Sequence, residues 1–98
     1  ISLKGESIYI ASKAGVEGFS KSFAREMADF NTTVNVIAPG PIETDLIAKV
    51  PSKSIERIVR QQISPKQFTK EDIVTLTRML LSDSSHMLSG QIFNVGGI

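Results

Sequence analysis

Tyr9 and Lys13, in the run Tyr9-Ile10-Ala11-Ser12-Lys13, place a phenol and an ammonium four residues apart. On a helix that spacing makes two side chains neighbours on one face, and a cation beside a phenol favours the phenolate. Such a pair suits proton transfer to or from a substrate oxygen near neutral pH. Tyr-x-x-x-Lys is nonetheless a short pattern in residues common on helix surfaces. By itself it is more often an amphipathic contact than a catalytic pair, so its weight depends on what the rest of the chain places around it.

The elements that must position the pair follow from periodicity. The spacing predicts a helix from residue 9 to about 29, with Val16, Phe19, Phe23, Met27 and Phe30 forming an apolar stripe expected to face the core. A second track of small residues, Ala11, Ala14 or Gly15, Gly18 and Ser22, would admit another backbone or helix. Each helical glycine costs roughly 1 kcal/mol against alanine, which points either to tight packing on a sheet or a partner subunit or to simple tolerance of glycine at these positions. The helix should stop near Asp29-Phe30-Asn31, because Asn takes the left-handed conformation that ends helices.

Thr33 to Ala38 is β-branched and apolar without strict alternation, the pattern of a strand buried on both faces of a parallel sheet. Pro39-Gly40 ends it. In open α/β sheets ligands bind beyond the carboxyl ends of the strands, so a ligand is expected from Pro39 onward. Taken alone, Pro39-Gly40-Pro41 also reads as a rigid turn and Thr44 as a helix N-cap. Leu46, Ile47, Val50, Ile55, Ile58, Val59 and Ile63, broken by Pro51 and Pro65, predict one or two short helices over residues 45–67. Thr69-Lys70-Glu71-Asp72 reads as a capping box, with Asp in place of the usual Glu or Gln. The helix it introduces carries Ile73, Leu76, Leu80 and Leu81 and should end around residues 82–85. Gly90 to Val95 reads as a final strand.

Three motifs in order, Tyr9-Ile10-Ala11-Ser12-Lys13, the run Thr33 to Asp45 through Pro39-Gly40, and Ser89-Gly90-Gln91-Ile92-Phe93-Asn94-Val95-Gly96-Gly97, resemble the C-terminal half of a short-chain dehydrogenase/reductase. The similarity is greatest to the 3-oxoacyl-acyl-carrier-protein reductase-like branch, with Ala14 to Ser22 as a further family-like stretch. The resemblance implies an α/β fold, the C-terminal portion of a Rossmann-like doubly wound parallel sheet that is three-layered (α/β/α) in the intact protein. Residues 1–98 would then be part of a single NAD(P)-binding domain, with a substrate-loop insertion at about 41–67.

It also implies hydride transfer between NAD or NADP and a carbonyl or secondary alcohol, with fatty acid biosynthesis as the setting. Tyr9 would donate or accept the proton, and Lys13 would assist it and hydrogen-bond the nicotinamide ribose. The Pro39-Gly40 turn would let the backbone approach the nicotinamide, Ile42 would contact the carboxamide through main-chain groups, and Thr44 would bind the carboxamide or diphosphate. Residues 41–67 would cover a small-molecule or acyl-thioester substrate and exclude water. The intact protein would be a dimer or tetramer of one chain.

Two departures from the family pattern bear on the C-terminal contact and the loop anchor. Many relatives end Val-Asp-Gly-Gly where this chain has Val95-Gly96-Gly97-Ile98, and the basic residue common before the penultimate helix is replaced around Gln67-Phe68-Thr69. The family's catalytic serine should precede the tyrosine by more residues than the eight present, so Ser2 and Ser7 fit poorly. With the glycine-rich phosphate turn also missing and Ile rather than Met at position 1, the chain is expected to be a segment of a longer polypeptide, inactive by itself. The competing reading is a non-catalytic binding or assembly module that keeps the fold's surfaces; retention of both Tyr9 and Lys13 argues against it.

Composition excludes other classes. Eleven basic and ten acidic residues give a net charge of +1 with no charge block, which speaks against nucleic acid as a partner. No apolar run approaches the roughly 20 residues that span a bilayer, no leader pattern is visible, and the cytoplasm is the default location. Cysteine is absent, so neither a disulfide framework nor a thiolate metal site exists within these residues. His86, the one histidine, stands in a polar connection without a ligand cluster and is assigned no role; no metal is expected.

Overall fold

A computed structural model describes residues 5–40 and 51–96. Its described elements are helix α1 (Ser7–Met27), strand β1 (Val36–Pro39), helix α2 (Ser52–Gln61), helix α3 (Lys70–Leu81) and strand β2 (Ile92–Val95). Short 3-10 turns follow α1 at Ala28–Phe30 and α3 at Asp83–Ser85. The strands pair in a two-stranded sheet. Gly90 N–H donates to Val34 O (2.7 Å), Val36 N–H to Gln91 O (2.9 Å) and Gly40 N–H to Val95 O (3.3 Å), so residue numbers rise together and the pairing is parallel. The chain divides into two compact units, one of Ile1–Val36 with His86–Ile92, the other of Ile37–Ser85 with Phe93–Ile98.

In the first unit α1 starts two residues before the expected position and ends as its sequence dictates. Asn31 adopts a left-handed conformation (φ 56°), and its N–H closes on Ala28 O at 3.1 Å. The expected core-facing stripe is only partly covered: Val16, Phe19 and Phe30 are 54%, 65% and 72% exposed, while Phe23 and Met27 are half-buried. Phe19 and Phe23 stack on each other with ring centroids 5.2 Å apart. Full burial on α1 falls on Ser20 and Ala24, one turn apart, and Gly90 (φ +68°) is a neighbour of the Ala24 methyl. Gly15 and Gly18 meet no neighbour within 4 Å among the described residues, so the close packing expected at them is not found there.

Polar side chains hold the segment before β1 to the segment before β2. The Asn35 carboxamide works in both directions, with Nδ2 donating to Leu88 O (2.9 Å) and Oδ1 accepting from Gln91 N–H (3.2 Å). The Ser89 hydroxyl accepts from Val34 N–H at 3.1 Å. With Val34 N–H and the Asn35 side chain engaged this way, the regular strand begins at Val36 rather than Thr33; Val36, Ile37 and Ala38 are half-buried and Pro39 is exposed, so the strand is not enclosed on both faces.

In the second unit Pro51 precedes α2, on which Ile55, Ile58 and Val59 are half-buried, while Ile63 beyond it is 85% exposed. The sequence-expected contributions of Leu46, Ile47 and Val50 lie outside the described residues. At the head of α3, Thr69 N–H donates to Asp72 Oδ2 at 2.8 Å, so the shorter Asp does close the cap. Ile73, Leu76 and Leu80 form the half-buried side of α3, but Leu81 is 80% exposed and leaves the stripe. Ser82 and the following 3-10 turn end the helix, with Ser85 Oγ donating to Leu80 O and Ser82 O, both at 2.8 Å.

Candidate functional site

Tyr9 and Lys13 both stand on the exposed surface of α1, and the helix does bring them together. Lys13 Nζ lies over the Tyr9 ring, 5.6 Å from its centroid. An ammonium over a phenol face is drawn there by the ring quadrupole, an attraction worth roughly 0.5–1 kcal/mol at an exposed site. Tyr9 is 55% exposed. Its backbone carbonyl also accepts from Ser12 Oγ at 2.8 Å, a bond local to the helix that does not engage the phenol.

Pro39 and Gly40 belong to the other unit, at the carboxyl end of β1. Ile42 and Thr44, expected beside them, lie outside the described residues. Gly40 has a specific steric reason: a Cβ there would collide with Gln62 Oε1 and sit 3.4 Å from Phe68 Cζ. The space a side chain would fill is therefore taken by the loop that follows α2. Gly96, just after β2, adopts φ +90°, and a Cβ there would lie 2.8 Å from Gln62 Cδ and from Phe68 Cε1. Gln62 and Phe68 are buried, at 5% and 7% exposure. Sequence reading missed both, apart from noting that a basic residue is absent near Gln67-Phe68-Thr69. A single polar residue just past a helix carries no local signal of burial; the pair of glycines distant in sequence is the only hint.

Among the described residues no group of three or more His, Cys, Asp or Glu is placed to hold a metal ion. No helix of the described residues is long and apolar enough to cross a membrane. The first unit thus carries an exposed phenol and ammonium on α1, and the second a glycine at the carboxyl end of a parallel strand, the end at which ligands of open α/β sheets bind.

Comparison with known proteins shows the family. A family model described as enoyl-(acyl carrier protein) reductase matches residues 1–97. The chain is 39% identical over 94 residues to a 3-oxoacyl-(acyl-carrier-protein) reductase of Thermotoga maritima, covering 95% of this chain and 38% of that protein. It is 38% identical over 92 residues to an uncharacterized oxidoreductase of Mycobacterium tuberculosis, covering 93% of this chain and 37% of the relative. The crystal structure of a 3-oxoacyl-(acyl-carrier protein) reductase from Brucella melitensis superposes with a TM-score of 0.82 at 28% identity, over 92% of this chain and 34% of that one. The chain thus spans somewhat more than a third of the length of the curated relatives it matches. The order of its helix, parallel strands and glycine turns, the paired phenol and ammonium, and these matches together make it a member of the short-chain dehydrogenase/reductase family, similar to its 3-oxoacyl-acyl-carrier-protein reductases.

Proposed function

We propose that the intact polypeptide is an NAD- or NADP-dependent oxidoreductase that interconverts a carbonyl and a secondary alcohol, with a 3-oxoacyl thioester as the substrate class. The observation that carries the proposal is the Lys13 ammonium held over the exposed Tyr9 ring. Nicotinamide, when bound, supplies or takes the hydride. Tyr9 Oη gives its proton to the alkoxide oxygen as the carbonyl is reduced, and takes the proton back from the alcohol in oxidation. Lys13, whose ammonium lies over the face of that ring, assists the transfer and hydrogen-bonds the nicotinamide ribose. The residues proposed to hold the dinucleotide are Tyr9, Lys13, Pro39, Gly40, Ile42 and Thr44. Val16 and Phe19, exposed on α1, offer apolar surface for contact with a second copy of the chain.

The test is made on the intact polypeptide. NADH and NADPH absorbance is followed with a short 3-oxoacyl thioester, and the measurement is repeated with Tyr9→Phe. Removing a positioned proton donor should lower kcat by about a hundredfold or more at saturating dinucleotide. Wild-type turnover preserved in Tyr9→Phe would remove Tyr9 from the mechanism.

A further inference from the structure

The loop from Gln62 to Phe68 packs against the ends of both strands through one buried carboxamide. Gln62 Nε2 donates to Ser64 O at 3.0 Å and to Lys66 O at 3.2 Å, and Ser64 N–H donates to Gly96 O at 2.9 Å. With both amide hydrogens engaged by loop carbonyls, the orientation of the carboxamide is fixed. Its other end, Oε1, is turned onto the Gly40 backbone, buried and without a hydrogen-bond partner among the described residues. A buried acceptor left unpaired is unfavourable, so the site holds a polar group where an apolar side chain of the same shape would be easier to bury. What the glutamine provides is rigidity: the donor bonds lock the plane of atoms on which Gly40 rests.

We propose that Gln62 is a positioning residue for dinucleotide binding, setting the Gly40 turn from behind while the opposite side of that backbone faces the ligand. The proposal rests on the reading of this chain as a nicotinamide-dependent reductase. Gly40 lies at the carboxyl end of a parallel strand, where ligands of such sheets bind. Gln62 Oε1 can occupy its place beside the turn only because residue 40 has no Cβ. Phe68 closes the same volume from the ring side and is not expected to orient the turn, since a ring contact fixes no hydrogen-bond direction.

Binding of NADH and NADPH to the intact polypeptide is measured by fluorescence titration of the reduced dinucleotide, beside kcat and the thermal midpoint. The variants are Gln62→Met, which keeps the volume and loses the amide, and Gln62→Ala, which loses both. For Gln62→Met the expected result is a Kd and KM for dinucleotide raised about tenfold, with kcat at saturation within about threefold of wild type. Gln62→Ala should weaken binding at least as much. Unchanged dinucleotide Kd in a folded variant, or a fall in kcat alone, would overturn the proposal. So would the loss of folded protein in both variants, which would make Gln62 a purely structural residue. A wild-type polypeptide that binds neither dinucleotide would instead remove the reductase reading, and this inference with it.

Discussion

Replacing Gly40 with alanine should destabilise the protein chiefly through Gln62. The new Cβ would collide with Gln62 Oε1 but stand at an ordinary 3.4 Å from the Phe68 ring edge. If the carboxamide holds its place, the overlap costs on the order of 1–3 kcal/mol, as for other small-to-large changes in packed sites. If it swings away, its bonds to Ser64 O and Lys66 O are lost and two carbonyls need new partners, about 1–2 kcal/mol in net terms. The chain takes the cheaper route, so the expected loss is about 1–2 kcal/mol. In Gln62→Ala the obstacle is already gone, and adding Gly40→Ala to that background should cost only a few tenths of a kcal/mol. Urea unfolding of the four proteins of this cycle, at unchanged m-value, measures the coupling. Additivity to within about 0.5 kcal/mol would refute the contact as the reason for a glycine at position 40.

Asn35→Ala removes the donor to Leu88 O and the acceptor for Gln91 N–H and should lower unfolding free energy by about 1–2 kcal/mol, read by urea titration. Asn35→Asp keeps the acceptor and turns a carboxylate toward the Leu88 carbonyl, so it should be no more stable than the alanine variant. Asp72→Ala opens the cap at Thr69 N–H and should cost about 0.5–2 kcal/mol, whereas Asp72→Glu, the residue the capping box usually carries, should retain most of that stability in the same titration.

Features written in local chemistry were legible in the sequence. Asn31 ends α1 because a short amide tolerates the left-handed conformation, and the Thr69-Asp72 pair starts α3 because its groups lie within one turn of each other. The Tyr9 and Lys13 pair was legible for the same reason: helical geometry alone makes neighbours of them. The apolar stripe misled because periodicity says which residues share a face, not what covers it. Within this chain Ser20 and Ala24 are covered, while Val16 and Phe19 are not. Gln62 and Asn35 were illegible because their partners are set by tertiary contacts: Gly40 and Gly96 for one, Leu88 and Gln91 for the other.

The two positions on which the function is proposed to depend are held in opposite ways, and this decides how each can be tested. Tyr9 projects from the first turns of α1, and its side chain is met by Lys13 across the ring. Phenylalanine keeps that ring, its attraction for the ammonium and its place on the helix, so Tyr9→Phe deletes a proton donor and little else. Any large change in turnover then belongs to the chemistry. Gln62 is buried, doubly bonded to the loop and pressed on two glycines. No substitution there can remove one interaction alone, and a loss of activity by itself would not distinguish a misplaced turn from a loosened unit. The distinction comes from comparing dinucleotide affinity with thermal stability in Gln62→Met. A turn set by the carboxamide predicts that affinity falls in the folded protein, whereas simple packing predicts that a side chain of equal volume restores both.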